Sequence, residues 1–482
     1  MKKIIASIAV LLACGQAMAQ GEMDALKYSQ SDIRGTARYT SMAGAMGALG
    51  GDASAIMDNP AALGIYRSSD ISLTPGIAWV NTNNGSNKDF SLGATFDNFS
   101  AIFNFMTGKN SGAVAHNFGI TYNRLRNFRS NISASRNGST SSLTDYMAYR
   151  ADESYDALGD MGWYSNLLYK IVDDQDNVVG YESILNEGEK VNKRYYSEER
   201  GTIDEWDFSY SINLNNILYL GATIGVQAID YELSSTHTED FAEGGGFDLY
   251  NTLETTGTGL NFRIGGIVRP VDFLRIGAAF TTPSVYKLTD YYYDRINSSE
   301  AEPFSHGHGA IDYTLTTPYK VMGSLGFVIG KQALVGINYE MKDYSTAKYS
   351  GTEYSVDNEF IKQDFTMSHT IKIGAEYKFD DALSLRAGYA LTTSPVKSSV
   401  EDEQLEISPA GSIPAYSIPQ NYSQYSAGFG YRSGNFYLDV AYALSQKKDH
   451  LYLYPYTAMN TTEAIKVKTT TNTIVATLGL KF

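Results

Sequence analysis

The sequence predicts an all-β protein, a transmembrane β-barrel of about fourteen antiparallel strands with an N-terminal plug of short helices in its lumen. Three observations carry this prediction. A secretory signal opens the chain, apolar and polar residues alternate from about residue 70 to the end, and short and long connections alternate between strands. The chain therefore divides into a signal peptide, 1–19, a plug, 20–69, and a barrel with extracellular loops, 70–482.

The N-terminus has the pattern of a signal peptide. Two lysines precede an apolar run over 4–13, and Ala17-Met18-Ala19 supplies a small-residue cleavage site. The run is too short to span a bilayer. Cys14 offers the alternative of a lipoprotein processing site, but cleavage after Ala19 fits the sequence better. The mature chain then contains no cysteine, which excludes disulfides, zinc-thiolate sites and cysteine nucleophiles.

Composition excludes one class of partner. The formal net charge is -15, so the chain lacks the basic footprint that nucleic acid requires. No later stretch approaches 18 apolar residues, so no transmembrane helix is expected. The chain has 37 tyrosines and 44 glycines; tyrosine suits membrane-interface girdles, and glycine suits crowded barrel interiors.

The alternation is clearest over 206–214. Trp206 and every second residue after it are large and apolar, whereas Asp207 and every second residue after it are polar. A soluble β-sandwich also alternates. The signal, the strand lengths and the alternating connection lengths favour the membrane.

Counting these segments gives about fourteen strands. They lie at 70–82, 90–106, 116–136, 201–214, 217–235, 248–269, 273–290, 308–330, 332–349, 360–379, 382–397, 421–433, 436–455 and 464–482. Short turns such as Asn215-Asn216 belong on the periplasmic side, and long connections such as 137–200 belong outside. Such a sheet must close, because an open edge in lipid leaves backbone groups without partners.

The plug segment does not alternate. It is rich in small residues, which allow close backbone packing, and contains Asn59-Pro60-Ala61. Asn59 suits the N-cap of a short helix and Pro60 suits its first position. Helix punctuation alone explains this tripeptide, and a periplasmic cap that never enters the lumen is a further alternative.

Residues 51–63, which include Asn59-Pro60-Ala61, resemble the hatch of FadL/TodX-type outer-membrane transport proteins. The segments 275–283, 386–389, 394–396 and 413–414 and the hairpin 425–444 are similar to the same family. The resemblance implies a fourteen-stranded barrel plugged by the hatch, with gating residues Asn59, Pro60 and Ala61. The terminal Phe482 resembles the signal that the barrel assembly machinery recognises.

The resemblance also implies a function. We expect a channel in the outer membrane of a Gram-negative cell that takes up hydrophobic small molecules, long-chain fatty acids or aromatic hydrocarbons, by passive diffusion with lateral exit through the wall. The alternative is a protein of the same fold that acts as a secretion shuttle or a surface-protein partner. Expected contacts are the ligand, outer-membrane lipid, lipopolysaccharide and the assembly machinery.

Three prolines inside predicted strands, Pro283, Pro318 and Pro395, each remove a ladder donor and are candidate kinks. The family's kink lies in its third strand, and here the alternation is lost over 124–129. The apolar content of 147–169 suggests either a packed lid or a binding surface.

No catalytic or metal-binding pattern is visible. The six histidines are scattered, and no Gly-x-Ser-x-Gly motif occurs. We therefore expect no enzyme activity, no cofactor and no metal site, although a barrel enzyme could distribute its catalytic residues over several strands.

Overall fold

The computed structural model describes residues 20–152, 156–330, 332–457 and 462–482. The predicted signal peptide and the alternative processing site at Cys14 lie outside these residues. Within them, no helix is long and apolar enough to cross a membrane.

Strands make up most of the described chain. In order they are β1 (Asp70–Asn83), β2 (Lys88–Met106), β3 (Ala113–Asn127), β4 (Ser130–Ser139), β5 (Leu168–Val172), β6 (Val178–Ser183), β7 (Val191–Leu214), β8 (Leu218–Phe241), β9 (Gly246–Val271), β10 (Leu274–Thr281), β11 (Val285–Ser298), β12 (Phe304–Thr316), β13 (Lys320–Ile329), β14 (Ala333–Asp343), β15 (Lys348–Tyr349), β16 (Met367–Lys378), β17 (Leu383–Thr392), β18 (Tyr416–Ser433), β19 (Phe436–Tyr452) and β20 (Ile465–Lys481).

These strands form a closed antiparallel barrel. β1 pairs with β2 on one side and with β20 on the other, which joins the two ends of the sheet. Over the described residues, fourteen strands cross the wall, because β3 with β4, β10 with β11, and β12 with β13 each form one crossing from two pieces. The predicted fold class and strand number are confirmed.

The two faces of the wall differ as the alternation predicts. On β7, Trp206 and Phe208 are 44% and 50% exposed on the outside, while Asp207 and Ser209 are buried on the lumen side. Lipid is the solvent that tolerates such an apolar exterior.

Short helices are confined to the plug and the outer loops. They are α1 (Glu22–Ser29), α2 (Ala37–Ser41), α3 (Leu143–Ala151), α4 (Ala157–Tyr164), α5 (Ser355–Asp364) and α6 (Ser399–Asp402), with 3-10 helices η1 (Ser54–Met57), η2 (Pro60–Ile65) and η3 (Tyr344–Thr346).

The predicted strand at 360–379 is wrong over its first residues. Helix α5 ends at Asp364, and β16 begins at Met367. Asp357, Ile361 and Asp364 are buried at helical spacing, so the period there is 3.6 rather than 2. The predicted loop 137–200 is also too long, because β7 already begins at Val191.

The outer loop between β4 and β7 is a packed lid over the barrel mouth. Ser142 and Asp145 form a capping box that starts α3. Tyr146 and Met147 of α3 and Met161 of α4 are completely buried. Of the two alternatives for 147–169, the structure shows the packed lid.

The plug lies inside the barrel, as the fold prediction states. Its first helix, α1, sits near the outer end of the lumen, where the Tyr28 hydroxyl donates to Thr255 of β9 over 2.8 Å. The hydroxyl of Tyr349 donates to the carbonyl of Gly21 over 3.0 Å. The rest of the plug descends to Ser69, whose backbone bonds to that of Phe482 at the opposite end of the barrel.

Candidate functional site

Asn59 links the plug to the wall. It is the N-cap of η2, and its side-chain oxygen accepts from the Ala61 N–H over 3.0 Å. Its side-chain NH₂ donates to the carbonyl of Gly47 over 3.1 Å and to that of Gly266, on β9, over 3.3 Å. Pro60 holds the first helical position, where a missing N–H costs no hydrogen bond. The completely buried Asn59 therefore both caps η2 and bonds to the barrel.

Glycines on the lumen face let the plug backbone touch the wall. A Cβ on Gly221 of β8 would lie 2.4 Å from the Pro60 carbonyl, and one on Gly265 of β9 would lie 2.0 Å from the Asn59 side-chain oxygen. Neither position can hold a side chain while the plug stays in place. At further wall glycines an added Cβ would also lie less than 3.5 Å from a plug atom. These glycines are Gly277, Gly326, Gly336, Gly374, Gly388 and Gly428.

A plug carboxylate is held between two wall lysines. Asp58 lies 3.3 Å from the ammonium of Lys372 and 3.4 Å from that of Lys320, and it accepts from the Tyr39 hydroxyl over 2.7 Å. Burial alone would raise the pKa of Asp58, but Lys372 and Lys320 hold it down at about 2. The carboxylate is thus charged at any physiological pH.

Two plug arginines have the opposite arrangement. Arg38 contacts Glu376 of β16 over 2.8 Å, and Arg34 contacts Asp97 of β2 over 2.8 Å. Glu376 also pairs with Arg386 of β17 over 2.7 Å. Asp58, Arg34 and Arg38 of the plug therefore each meet an opposite charge on the wall. Buried ion pairs contribute little net stability, yet a mispositioned plug would leave all of them unpaired, so they favour one position.

The wall has a gap between its second and third strands. β2 pairs with β3 only from Asn98 to Met106, and β4 pairs with β7 alone. Across the described residues, the part of β2 from Lys88 to Asp97 thus has a ladder partner on its β1 side only. The register of β3 shifts between Arg124 and Arg126, and the strand ends at Asn127, where the sequence alternation is lost.

Side chains cross this gap in place of backbone. Asp89 of β2 accepts from the Ser133 backbone N–H and hydroxyl over 2.8 and 2.7 Å at the outer end. Closer to the middle of the wall, the guanidinium of Arg129 lies against Gly93. A Cβ added to Gly93 would be 2.7 Å from the central carbon of that guanidinium. Arg129 donates to the carbonyl of Leu92 over a long 3.4 Å.

A cavity of about 330 Å³ lies behind the gap, between α1 and the wall. Apolar side chains from the plug and the wall line it, among them Met23, Leu26, Phe128, Ile132, Leu233 and Leu253. The charged lining residues balance in number: the basic ones are Lys27, Arg34, Arg126, Arg129 and Lys447, and the acidic ones are Asp24, Asp32, Asp97, Glu199 and Asp449. Lys27 pairs with Asp24 and Arg34 with Asp97, but Arg126 and Arg129 have no carboxylate within 4.0 Å among the described residues.

The other predicted positions lie elsewhere. Pro283 falls in the break between β10 and β11, and Pro318 falls in the adjacent break between β12 and β13. Pro395 follows β17 and lines the cavity. Phe482 follows the last strand with an exposed ring. Arg34, Arg38, Asp58 and Arg129 were not predicted, because each acts through a partner that is distant in sequence.

The sequence of the barrel matches a known protein family. Residues 202–482, more than half of the chain, match the family described as outer membrane protein transport protein (OMPP1/FadL/TodX). The chain belongs to this family. It is an outer-membrane β-barrel of the type that transports hydrophobic compounds, and the family is a class of transport channels rather than of enzymes. The resemblance to this family is confirmed over the barrel residues that the match covers.

Solved structures show the same fold. A Pseudomonas aeruginosa FadL homologue superposes with a TM-score of 0.58 at 12% identity, covering 94% of this chain and 100% of that one. The CymD monoaromatic hydrocarbon channel superposes with a TM-score of 0.52 at 12% identity, covering 94% of this chain and 99% of that one. The Ralstonia pickettii toluene transporter TbuX superposes with a TM-score of 0.50 at 14% identity, covering 93% of this chain and 99% of that one. At these identities the likeness shows the fold alone. No curated protein sequence matches the chain significantly.

Substitutions at Asn59 separate capping from attachment to the wall. Asn59→Ala removes the cap, which costs about 1 kcal/mol, and both bonds to carbonyls. Asn59→Asp keeps the capping oxygen but places a carboxylate against the carbonyls of Gly47 and Gly266. We expect Asp to lower the thermal stability of the purified protein at least as much as Ala. A stable Asp variant would reduce the role of Asn59 to capping.

A paired valine substitution tests the contact between η2 and the wall. Gly221→Val overpacks the contact with Pro60, at a cost of about 1–3 kcal/mol, and should displace η2. The matched control is Gly323→Val, because Gly323 faces outward with nothing within 4 Å of an added Cβ. We expect only Gly221→Val to make the plug sensitive to trypsin at Arg34 and Arg38 and to admit large antibiotics. Equal behaviour of the two variants would contradict the contact.

Proposed function

We propose that this protein is a passive channel for amphipathic hydrophobic acids, of which long-chain fatty acids are the expected class. A ligand enters from the outer loops, occupies the cavity above the plug, and leaves sideways through the gap between β2 and β4. The observation that carries the proposal is the cavity itself, which combines apolar lining residues with two arginines that have no carboxylate within 4.0 Å among the described residues.

The cavity suits one ligand of modest size. Its volume, about 330 Å³, lies at the lower end of the range for small-molecule sites. Leu26, Leu233 and Leu253 offer an apolar surface to an acyl chain. A flexible chain fits an elongated space of this kind between a helix and a wall.

The unpaired guanidinium of Arg126 favours an acid over a neutral hydrocarbon. The guanidinium of Arg126 donates to the Lys27 carbonyl over 2.7 Å and to the Gln30 side chain over 2.9 Å. It stacks 5.0 Å from the centre of the Phe128 ring. These neutral partners leave its charge uncompensated, and a ligand carboxylate would compensate it. Toluene and its relatives offer no such group.

Lateral exit follows from the position of the gap. The cavity lining includes Phe128 and Arg129 beside the gap and Ala78, Val80 and Asp97 across from it. Arg129 is held there by one long hydrogen bond, so moving it aside breaks little structure. An apolar ligand that leaves at this level enters the membrane directly and never crosses the plug.

Several sequence-based expectations belong to this proposal. Export requires removal of residues 1–19, assembly uses Phe482 as the terminal signal, and Asn59, Pro60 and Ala61 keep the plug seated. The prolines Pro283 and Pro318, in adjacent breaks of the wall, bend their strands locally rather than open a second exit.

One observation favours the second candidate, a surface-protein partner. The β5–β6 hairpin of the outer loop carries exposed apolar side chains on both strands, among them Ile171, Val172, Val178 and Val179. Exposed apolar patches of this kind mark interaction sites. Deleting 169–182 should leave ligand uptake intact and disrupt no complex if the protein acts only as a channel, whereas loss of a stable complex with another surface protein would favour the partner role.

The role of Arg126 tests the ligand class. Arg126→Gln removes one charge-assisted hydrogen bond, so palmitate affinity should fall about tenfold or more, while toluene binding stays unchanged. Arg200→Gln is the matched control, because Arg200 is exposed and pairs with Glu198 outside the cavity. Binding of each probe to purified protein and uptake by a complemented deletion strain are the measurements. Unchanged palmitate binding, or an equal loss for toluene, would contradict an acid-selective cavity.

A further inference from the structure

An outward-facing groove lies at the outer end of β18, β19 and β20. Its volume is about 430 Å³, and its polar lining comes from Gln420, Asn421, Lys448, Asp449, His450, Lys466 and Lys468. The groove begins where the pairing of β18 with β19 shifts register between Pro419 and Tyr422. Its lysines lie on the outside of the wall, and the lumen cavity lies behind the same strands, with Gln420 and Asp449 bordering both.

The lysines of this groove face one another. Lys448 is the cross-strand partner of Lys468, and His450 is the partner of Lys466. Like charges directly opposite each other on neighbouring strands destabilise a sheet. Within the described chain, no carboxylate lies within 4.0 Å of these three ammonium groups. The arrangement therefore lacks an anion.

Neighbouring carboxylates are engaged elsewhere. Glu401 accepts from His450 over 2.5 Å, from Tyr452 over 2.9 Å and from Gln420 over 3.0 Å. Glu463 pairs with Arg136 over 2.5 Å. Asp449 is buried on the lumen side, 3.1 Å from Lys447. None of the three compensates the outward lysines.

The row of lysines continues across the junction of β20 with β1, where the two ends of the sheet join. Asn83 of β1 pairs with Lys468 on one side and with Lys88 of β2 on the other. Four adjacent strands thus carry Lys448, Lys468, Asn83 and Lys88 in one row, which spans about 14 Å at the usual strand spacing. The row offers two separated cationic points, the groove and Lys88.

Position along the strands places this row in the headgroup layer. Outward residues of β19 up to Leu444 are apolar, and Tyr442 lies 6.5 Å from Trp79 in the aromatic girdle. Lys448 follows Leu444 by four residues, about 13 Å along the strand. The long connection from β19 to β20 leaves this end of the barrel, which marks it as the outer one.

We propose that this row is a binding site for the phosphates of a phosphorylated glycolipid of the outer leaflet. The groove lysines, Lys448, Lys466 and Lys468, hold one phosphate, and Lys88 meets a second one on the same headgroup. The chain as a whole has a net charge of -15, so three unpaired lysines in a groove at headgroup level are a local exception with charge complementary to such a lipid.

A triple substitution tests the site on the full-length protein. Native mass spectrometry of purified barrels, titrated with bisphosphorylated lipid A, measures the affinity. K448Q/K466Q/K468Q should weaken binding by about a hundredfold. The matched control, K109Q/K287Q/K348Q, removes three exposed lysines away from the groove and should bind like wild type. A heat-dependent gel shift confirms that both variants are folded barrels.

Two further probes identify what the site binds. Lipid A without phosphates should bind wild type as weakly as the triple variant binds the intact lipid. Inorganic phosphate at millimolar concentration should not displace lipid A, because a free anion reaches only one of the two cationic points. Unchanged affinity in the triple variant, equal binding of the dephosphorylated lipid, or displacement by phosphate would each overturn the proposal.

Discussion

The architecture depends on the close approach between the plug backbone and the glycine-lined lumen wall. Cβ atoms at Gly221, Gly265 and Gly336 would lie within 2.4, 2.0 and 1.8 Å of plug atoms, so side chains there would exclude the plug. The approach lets Asn59 reach a wall carbonyl. The plug and the wall are therefore in direct backbone contact at this level.

Charges then select one position for the plug. Asp58 meets Lys320 and Lys372, whereas Arg38 meets Glu376, which lies four residues beyond Lys372 on the same strand, β16. Rotating the plug would bring like charges together and leave buried ions without partners. Each such unpaired buried ion lowers the stability by several kcal/mol. The same preference keeps α1 beside the gap in the wall, where plug and wall together enclose the cavity.

The barrel could be predicted from sequence because its signal is local. Lipid outside and a crowded lumen inside impose a period of two on every strand, and Asn59 shows its capping role within two residues. The glycines at 374 and 388 were visible on the inward face, but the plug atoms opposite them were not. Arg129 and the groove lysines acquire their meaning from strands distant in sequence. Helix α5 was missed because tertiary packing of Ile361, not a turn signal, marks it.

A reversible disulfide between the plug and the wall, called the lock below, tests the lateral route most directly. Ser41→Cys with Gly428→Cys places two thiols where a Cβ on Gly428 would lie 2.6 Å from that of Ser41 and 2.5 Å from the Val440 carbonyl oxygen, so a shift of about 1 Å is needed for a disulfide, and Gly428→Cys alone is the control for that shift. The predicted mature chain has no other cysteine. Palmitate uptake should be the same with the lock oxidised or reduced, as verified by mass spectrometry. Uptake that stops on oxidation and returns on reduction would show that ligand passes through a moving plug and would contradict lateral exit.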